Sequence, residues 1–514
     1  MLHALELENF KAFGERARIP FAPITLIFGE NSAGKSTILQ ALYLLKQTLE
    51  GRDTGAPLLP RADSGIVDLG SFQEMLFDHD LERRLSIRVD TKLDQELGIE
   101  FSFKRPSPEE EVLLDQIGIY DGKSSKCLAK FQPLALTEKP KEFTRRRFLS
   151  NSRSISVSKL AAVKCVWLAE AIEHWIPEFE WCIDNKEKIR NLLEEKLVDL
   201  EQHSEGIREG ANSFKDDMKF LLSNFDLETY VSRRRDEEMN TVLDIQGFFP
   251  VEIMTGKRSP WIDEVRFFFH RRADEFIIFD VAQLVMWAAS RLGLTLEALF
   301  PMSPFRKPPE RWYIFSGTSP SHVGYQGDLL PDLLLRRPKL VDETNEWLKR
   351  LEIDYELEVK PVGTDSSDLF AVRLIDTRRK ERVSIALSDV GFGVSQLLPF
   401  IVQSLVAEEQ IISIEQPEVH VHPRLQADLG DLLAAAIKKE NPNQFLVETH
   451  SEHLILRLQR LVYEKRIQPE DVSVIYVSRG PEGAKAERLR LDEEGDFIDE
   501  WPDGFFPERL RELR

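Results

Sequence analysis

The chain has 514 residues, enough for two or three domains, and its 42% hydrophobic and 30% charged content is typical of a globular protein and excludes global disorder. Acidic residues outnumber basic ones by 88 to 68, and the net charge of −20 argues against indiscriminate nucleic-acid binding. The three cysteines, Cys127, Cys165 and Cys182, lack metal or disulfide spacing, so we expect a reducing, cytoplasmic setting.

Neither apolar stretch of interest reads as a targeting or membrane segment. Met1–Phe10 alternates apolar and polar residues, which predicts a strand rather than a signal peptide. Ile277–Phe300 is interrupted by Asp280, Gln283 and Arg291, so it predicts a buried helix and not a membrane span. We therefore expect no membrane partner.

A phosphate-binding loop follows the first strands. An apolar strand, Ile24–Phe28, leads into Gly-x4-Gly-Lys-Ser, and an amphipathic helix, Ile38–Leu49, comes after it. Backbone N–H groups at a helix start bind phosphates, Lys35 reaches the β and γ phosphates, and the Ser36 hydroxyl is placed to ligate Mg²⁺. The predicted nucleotide ligands are Gly29, Glu30, Asn31, Ser32, Ala33, Gly34, Lys35, Ser36 and Thr37.

The middle of the chain changes character twice. A Gly/Pro/Asp-rich connector, Arg52–Asp68, precedes alternating segments that predict antiparallel strands at Leu85–Val89 and Ile99–Phe103. From Ser150 to about Leu299 the pattern is helical, with Leu192, Leu193, Leu197 and Leu200 at helical spacing. Its charged faces are either solvated or bind a partner, and arginine clusters such as Arg145–Arg147 either pair with carboxylates or contact phosphates.

The α/β pattern returns after residue 300. The predicted elements are a loop at Ser303–Arg311, a strand at Trp312–Phe315, helix at Leu329–Leu351, and strands at Tyr355–Val362 and Phe370–Ile375.

Two later apolar strands end in polar residues. Ile411–Glu415 delivers Glu415 to its tip in a Walker B arrangement, where the acid is predicted to hold Mg²⁺. Gln444–Glu448 ends at Thr449 and His450, and the imidazole is predicted to sense the γ phosphate. A metal site at Glu418, His420 and His422 is the alternative, but it needs another ligand.

Four segments resemble prokaryotic AAA-family ATPases (AAA_15/AAA_21) of the ABC/SMC superclass, in the branch of RecF-like and overcoming-lysogenization-defect (OLD)-like ATPases. They are Leu7–Phe13, the P-loop, Glu415–Pro423 and Glu448–His453. The tail Trp501–Phe506 resembles the C-terminal region called DUF3696. The resemblance implies an α/β fold: a P-loop ABC/SMC-type head with a mixed parallel core sheet, an antiparallel β lobe and an inserted helical domain.

The resemblance also implies site roles and a domain order. Gln73 takes the place of the magnesium-binding Q-loop glutamine. Gly391, Gly393 and Ser395 occupy a signature-like loop that would dock on the ATP of a second chain. The expected domains are the first part of the head (1–149), the helical insertion (150–300), the second part of the head (301–475) and the small C-terminal region (476–514).

Gln416 departs from the family, whose members usually have glutamate there. An amide orients water but does not accept its proton as a carboxylate does. Either Glu418 has taken over the task of polarising the attacking water, or hydrolysis is slow and trigger-dependent. The predicted catalytic set is therefore Glu415, Gln416, Glu418 and His450.

The resemblance implies an ATPase that uses ATP and Mg²⁺, dimerises around ATP and controls a separate effector, a nuclease or toxin, in anti-phage or anti-plasmid defence. About sixty residues follow His450, too few for the nuclease domain of OLD proteins. The alternative is a RecF- or SMC-like ATPase that binds duplex DNA. A transporter subunit, a kinase and a GTPase fit less well, because they leave the insertion or the signature-like loop unexplained.

Overall fold

The computed structural model describes residues 1–51, 56–62, 65–92, 96–107, 109–123, 125–133, 143–147, 158–165, 242–246, 248–256, 281–363 and 368–502. The chain divides into two compact units. The first combines Met1–Glu50, Leu59–Leu93 and Leu294–Arg514, and the second combines Gly51–Leu58 and Asp94–Gly293. The two ends of the sequence therefore fold together in the first unit.

The strands described are β1 (Leu2–Glu8), β2 (Ala17–Pro20), β3 (Ile24–Gly29), β4 (Leu85–Lys92), β5 (Glu96–Lys104), β6 (Leu113–Asp121), β7 (Cys127–Pro133), β8 (Phe143–Arg147), β9 (Ser158–Cys165), β10 (Val242–Gln246), β11 (Phe249–Gly256), β12 (Leu299–Met302), β13 (Tyr313–Ile314), β14 (Tyr355–Pro361), β15 (Leu369–Asp376), β16 (Ser384–Ala386), β17 (Ile411–Glu415), β18 (Gln444–Glu448), β19 (Val472–Gly480) and β20 (Gly483–Leu489). The α-helices described are α1 (Lys35–Glu50), α2 (Phe72–Met75), α3 (Val281–Ala298), α4 (Leu330–Arg336), α5 (Pro338–Arg350), α6 (Phe392–Val406), α7 (Pro423–Ala436) and α8 (Glu452–Tyr463).

A six-stranded sheet forms the centre of the first unit. Its order is β12-β17-β18-β3-β19-β20; the strands from β12 to β19 are parallel and β20 is antiparallel to β19. Strand β18 lies between β3 and β17, and Glu448 is in register with both Ile27 and Glu415. The carboxyl ends of these strands therefore meet at one edge of the sheet, where α/β proteins bind ligands.

Helices cover both faces of this sheet. Ile24, Leu26 and Phe28 of β3 alternate toward a core shared with buried residues of α4 to α8. On the other face, the Tyr43 hydroxyl of α1 donates a hydrogen bond of 2.9 Å to Ser413 Oγ. All six residues of β3 are buried, as expected for a central parallel strand covered on both faces.

Antiparallel strands complete the two units. In the first unit, β1 pairs with β2 and β4, and β15 pairs with β13, β14 and β16. In the second unit, β5 to β11 are ordered β5-β6-β7-β9-β10-β11-β8. The predicted α/β class, with a mixed parallel core sheet and additional antiparallel strands, is confirmed.

The predicted helical insertion at 150–300 is wrong at three described segments and stays a prediction for the residues outside the described ranges. Three strands, β9, β10 and β11, fall inside this interval, alongside the one helix α3 among the described residues. Strand β10 pairs antiparallel with both β9 and β11. The long charged run between β9 and β10 dominated the sequence pattern. The leucines at 192, 193, 197 and 200 lie outside the described residues. The longer segment of the second compact unit begins at Asp94, whereas the predicted insertion begins at residue 150.

The predicted C-terminal boundary at 476 falls inside β19, which pairs with the P-loop strand β3. The start of this region is therefore part of the central sheet rather than a separate small domain. The helical prediction at Leu329–Leu351 resolves into α4 and α5, since Pro338 starts a new helix. In the part of the chain that is described, none of the helices combines the length and apolar character needed to cross a membrane.

Candidate functional site

The P-loop turns tightly between β3 and α1. Gly29 has φ 137°, and a Cβ added there would lie 2.0 Å from the Val477 carbonyl oxygen. Gly34 has φ 109°, and its added Cβ would lie 2.6 Å from Ala12 Cβ. Both positions therefore require glycine for conformation and for space.

Two cations hold this loop. The Lys35 Nζ donates to the Gly29 carbonyl at 3.0 Å and to the Glu30 carbonyl at 2.6 Å. Arg479 of β19 donates from Nε and Nη2 to the Ser32 carbonyl, at 3.0 and 2.8 Å. Burial lowers the pKa of Lys35, against the opposing effect of Glu448 and Glu418. The loop thus presents a largely desolvated positive charge at the start of a helix.

A polar cleft of about 740 Å³ opens beside the loop. Its volume is within the range of small-molecule sites, roughly 300–1,000 Å³. The residues that line it are Lys11, Ala12, Asn31, Ser32, Gly34, Lys35, Ser36, Thr37, Gln40, Glu74, Leu76, Asp78, His79, Gln416, Glu448 and His450.

Three acids lie at or just after the strand ends. Burial raises the pKa of Glu415 to about 7, with the Glu448 charge adding to the effect. Burial also raises the pKa of Glu448, although a hydrogen bond from Ser36 and the charge of Lys35 act in the opposite direction. The pKa of Glu418 is raised by burial too. The positive charge in this region is therefore too small to compensate for the three carboxylates.

Glu418 is already engaged through both oxygens. Thr449 Oγ1 donates to Oε2 at 2.8 Å, and the His450 backbone N–H donates to Oε1 at 2.7 Å. These bonds tie the turn after β17 to the turn after β18. They place His450 at the cleft.

His450 and Gln416 also line the cleft. Burial, followed by the charge of Lys35, lowers the pKa of His450, which favours a neutral imidazole. Its ring lies edge-on to Phe28, with centroids 6.1 Å apart. Gln416 has φ 47°, and its backbone N–H donates to the Glu448 carbonyl at 2.7 Å. A positive φ is uncommon for a residue other than glycine, and this one occurs in a residue that lines the cleft.

Other predicted residues lie outside the cleft lining. Glu415 is partly buried beside Glu448 on the neighbouring strand, and its predicted magnesium role stays a prediction. Gln73 is exposed on α2, and its Nε2 donates to the His79 carbonyl at 3.5 Å, so the structure does not bring it to the P-loop. Its neighbour Glu74 lines the cleft instead.

The signature-like loop is also outside this cleft. Gly391 is the N-cap of α6, and a Cβ added there would meet nothing within 4 Å. A Cβ added at Gly393 would lie 2.6 Å from the His420 carbonyl oxygen, so this glycine is needed for packing. Ser395 is buried. The ligand roles of these three residues stay predictions.

His422 has a structural role in its helix start. Its Nδ1 accepts a hydrogen bond of 3.3 Å from the Arg424 backbone N–H and caps α7. Within the described ranges, no group of three or more His, Cys, Asp and Glu side chains is arranged to hold a metal. A cation that shares its coordination with phosphate oxygens needs fewer protein ligands.

Several cleft or loop residues were not among the predicted site residues, and Glu448, Lys11 and Arg479 are three of them. Glu448 had a signal, since it ends an apolar strand, but the neighbouring His450 drew the prediction. Lys11 lies within the N-terminal motif Leu7–Phe13 and has φ 49°. Burial lowers the pKa of Lys11, and the charge of Glu74 acts in the opposite direction. Arg479 had no local signal, because only the pairing of β19 with β3 brings it to the P-loop.

The residues present suit a nucleotide triphosphate with a divalent cation. Backbone N–H groups at the start of α1 and Lys35 are arranged for phosphates, and Ser36 and Glu448 supply oxygen ligands at the same place. Glu448 Oε2 is buried and has no hydrogen-bond partner within the described part of the chain, which fits a position that receives a cation.

Solved structures similar to this chain are SMC head domains at low sequence identity. One is the Smc head with an extended coiled coil, bound to the C-terminal domain of ScpA, from Pyrococcus furiosus: 13% identity, TM-score 0.37, covering 100% of this chain and 99% of that one. Another is the SMC head domain from Thermotoga maritima: 10% identity, TM-score 0.36, covering 95% and 98%. No curated protein matches the chain.

Two family models match. The model for the protein of unknown function DUF3696 matches residues 467–514, so the predicted resemblance of the tail is confirmed. The model described as AAA ATPase domain matches residues 1–245 and 335–455, well over half of the chain. With its P-loop in place, the chain therefore belongs to the AAA ATPase domain family and is an ATPase.

Proposed function

We propose that this ATPase binds ATP and Mg²⁺ between two copies of the chain and uses the nucleotide state to control a separate effector. The supporting observation is that the residues of the expected site lie in two separate places. The P-loop, Glu448 and His450 line one cleft, whereas Gly391 stands open at the start of α6 and is not part of that cleft. A second chain would supply its α6 start to complete the site.

Within one chain, each residue has a separate task. Lys35 and the loop N–H groups bind the β and γ phosphates, and neutral His450 donates a hydrogen bond at the γ position. Ser36 and the strand-end acids hold Mg²⁺, which when bound neutralises charge on the phosphates. Lys11 lines the same cleft.

We also propose that hydrolysis is slow and depends on a trigger. Gln416 lines the cleft where relatives usually have glutamate, and it orients water without taking its proton. Glu418 is held by Thr449 and by the His450 backbone, so both its oxygens already accept hydrogen bonds. ATP would then mainly keep two chains together, and hydrolysis would release them.

Complementation between two inactive variants tests the shared site. Lys35→Ala removes the phosphate-binding cation, and Gly391→Arg blocks the open α6 start, where added atoms meet no protein neighbour. Each variant alone should be inactive. If sites form between chains, a one-to-one mixture regains roughly a quarter of the parent ATPase rate, because half of the dimers then carry one intact site.

An inactive mixture, together with parent chains that stay monomeric in Mg²⁺ and ATP, would contradict the shared site. Lys339→Ala, on the exposed side of α5, is the matched control and should leave the rate unchanged.

The family resemblance supports an effector in anti-phage or anti-plasmid defence in the cytoplasm, and duplex DNA is the alternative partner. Purification from the native host distinguishes them. A co-purifying nuclease or toxin supports the effector, whereas strong, salt-sensitive stimulation of ATPase by duplex DNA supports DNA maintenance.

A further inference from the structure

Glu448 differs from the other acids of this region. Its side chain is 4% exposed, yet it lines the cleft. Its Oε2 atom is buried without a hydrogen-bond partner among the described residues. Burying a carboxylate oxygen without a hydrogen-bond partner costs free energy unless a donor or a cation reaches it.

Its position follows from the strand order. Strand β18 separates β17 from the P-loop strand β3, so Glu448 lies one strand nearer to the P-loop than Glu415. The backbone supports this placement, because the Gln416 N–H donates to the Glu448 carbonyl and the Thr449 N–H donates to the Ile27 carbonyl at 3.1 Å. The carboxylate is thus fixed on rigid elements.

We propose that Glu448 is a direct ligand of the divalent cation that is bound with the triphosphate, beside Ser36. This proposal rests on the proposed ATP and Mg²⁺ site and adds a ligand to it. Adjacent oxygen ligands of an octahedral Mg²⁺, each at about 2.1 Å, are about 3 Å apart. Ser36 and Glu448 line the same cleft, so a cation bound there can take one oxygen from each.

The nearby lysine does not replace the cation. Lys35 Nζ donates to the carbonyls of Gly29 and Glu30, and its attraction to Glu448 leaves the Oε2 atom without a hydrogen bond. Gln73, the predicted cation ligand from the Q-loop, is exposed on α2 and is not a cleft residue. The magnesium role of Gln73 stays a prediction, and Glu448 is a further candidate ligand inside the cleft.

Mn²⁺ binding, measured by electron paramagnetic resonance of the full chain with the non-hydrolysable analogue AMPPNP, tests this assignment. Glu448→Gln keeps the shape and removes the charge, and should weaken Mn²⁺ binding by about 10- to 100-fold. Binding of AMPPNP in EDTA should be unchanged or tighter, since a negative charge near the phosphates is gone. Glu440→Gln, an exposed acid beyond the opposite end of β18, is the matched control.

Unchanged Mn²⁺ affinity in Glu448→Gln, with AMPPNP bound, would overturn the proposal while leaving the proposed function intact. A parent chain that binds no AMPPNP would instead overturn the proposed function. Glu448→Asp keeps the carboxylate on a shorter side chain and decides the question if Glu448→Gln does not fold. It should still bind Mn²⁺, more weakly than the parent, and parent-like affinity would count against direct ligation.

Discussion

Two clusters of buried charge in the first unit are built in opposite ways. In the sheet of β1, β2 and β4, Arg88 is 2% exposed and makes two hydrogen bonds to Asp90, at 2.7 and 3.1 Å. Arg18 approaches Asp90 at 2.6 Å and Glu6 at 2.5 Å. Arg16 also pairs with Glu6 at 3.3 Å and with Glu8 at 2.8 Å, so each acid of this cluster meets an arginine and the charges cancel.

The acids at the edge of the six-stranded sheet are not balanced in this way. Lys35 acts on Glu418 and Glu448, the Glu448 charge acts on Glu415, and burial raises the pKa of each of the three acids. A cluster that neutralises itself needs no ligand and serves the fold, whereas an uncompensated one is stable only with protons or a bound cation. The comparison therefore separates a structural charge cluster from a binding site.

Breaking the balanced cluster should have the largest effect on stability. Arg88→Ala leaves Asp90 buried with half of its partners, and we expect the free energy of unfolding to fall by about 3 kcal/mol. Denaturant unfolding measures the change. Arg61→Ala, which removes an exposed pair with Asp68, is the control and should have no measurable effect. Equal effects of both variants would contradict a structural role for the cluster.

Adding an acid to the unbalanced cluster should change catalysis rather than folding. Gln416→Glu places a carboxylate where the family resemblance implies one, and we expect turnover to rise by about 100-fold, the lower end of what a positioned general base usually contributes. Steady-state ATPase assays measure it, with Glu418→Gln as the companion variant. A Gln416→Glu chain no faster than the parent, together with an inactive Glu418→Gln, would assign the base to Glu418.

The smallest effect concerns pH. The pKa of Glu415 is about 7 in the folded chain against an ordinary value of 4.5, so between these values the folded state binds the proton more tightly. Stability from this group is therefore present at low pH and is lost as the pH rises toward 7. In EDTA, lowering the pH from 8 to 6 should stabilise the parent relative to Glu415→Gln by about 1 kcal/mol.

Denaturant unfolding of both chains across this range isolates Glu415 from other titrating groups, including His450, whose lowered pKa acts in the opposite direction below its ordinary value of 6.5. Identical pH profiles for the parent and the variant would show that Glu415 is not a protonated, desolvated acid without its cation.

Much of the central sheet was readable from local patterns. The Gly-x4-Gly-Lys-Ser spacing predicted β3 and α1, and short apolar runs ending in polar residues predicted β17 and β18. Helical periodicity failed at β9, β10 and β11, because short strands between long charged stretches leave a weak signal and their pairing partners are distant in sequence. The boundary at 476 failed for the same reason, since β19 is defined by its pairing with β3.

The sequence by itself determined the phosphate loop, the acids at the strand ends and the membership of the family, because each depends on residue types at short spacing. Only the tertiary structure decided that β18 lies between β17 and β3, which brings Glu448 to Ser36 and leaves Gln73 outside the cleft. Strand order depends on pairing between segments hundreds of residues apart, and no local pattern encodes which buried carboxylate is left without a partner.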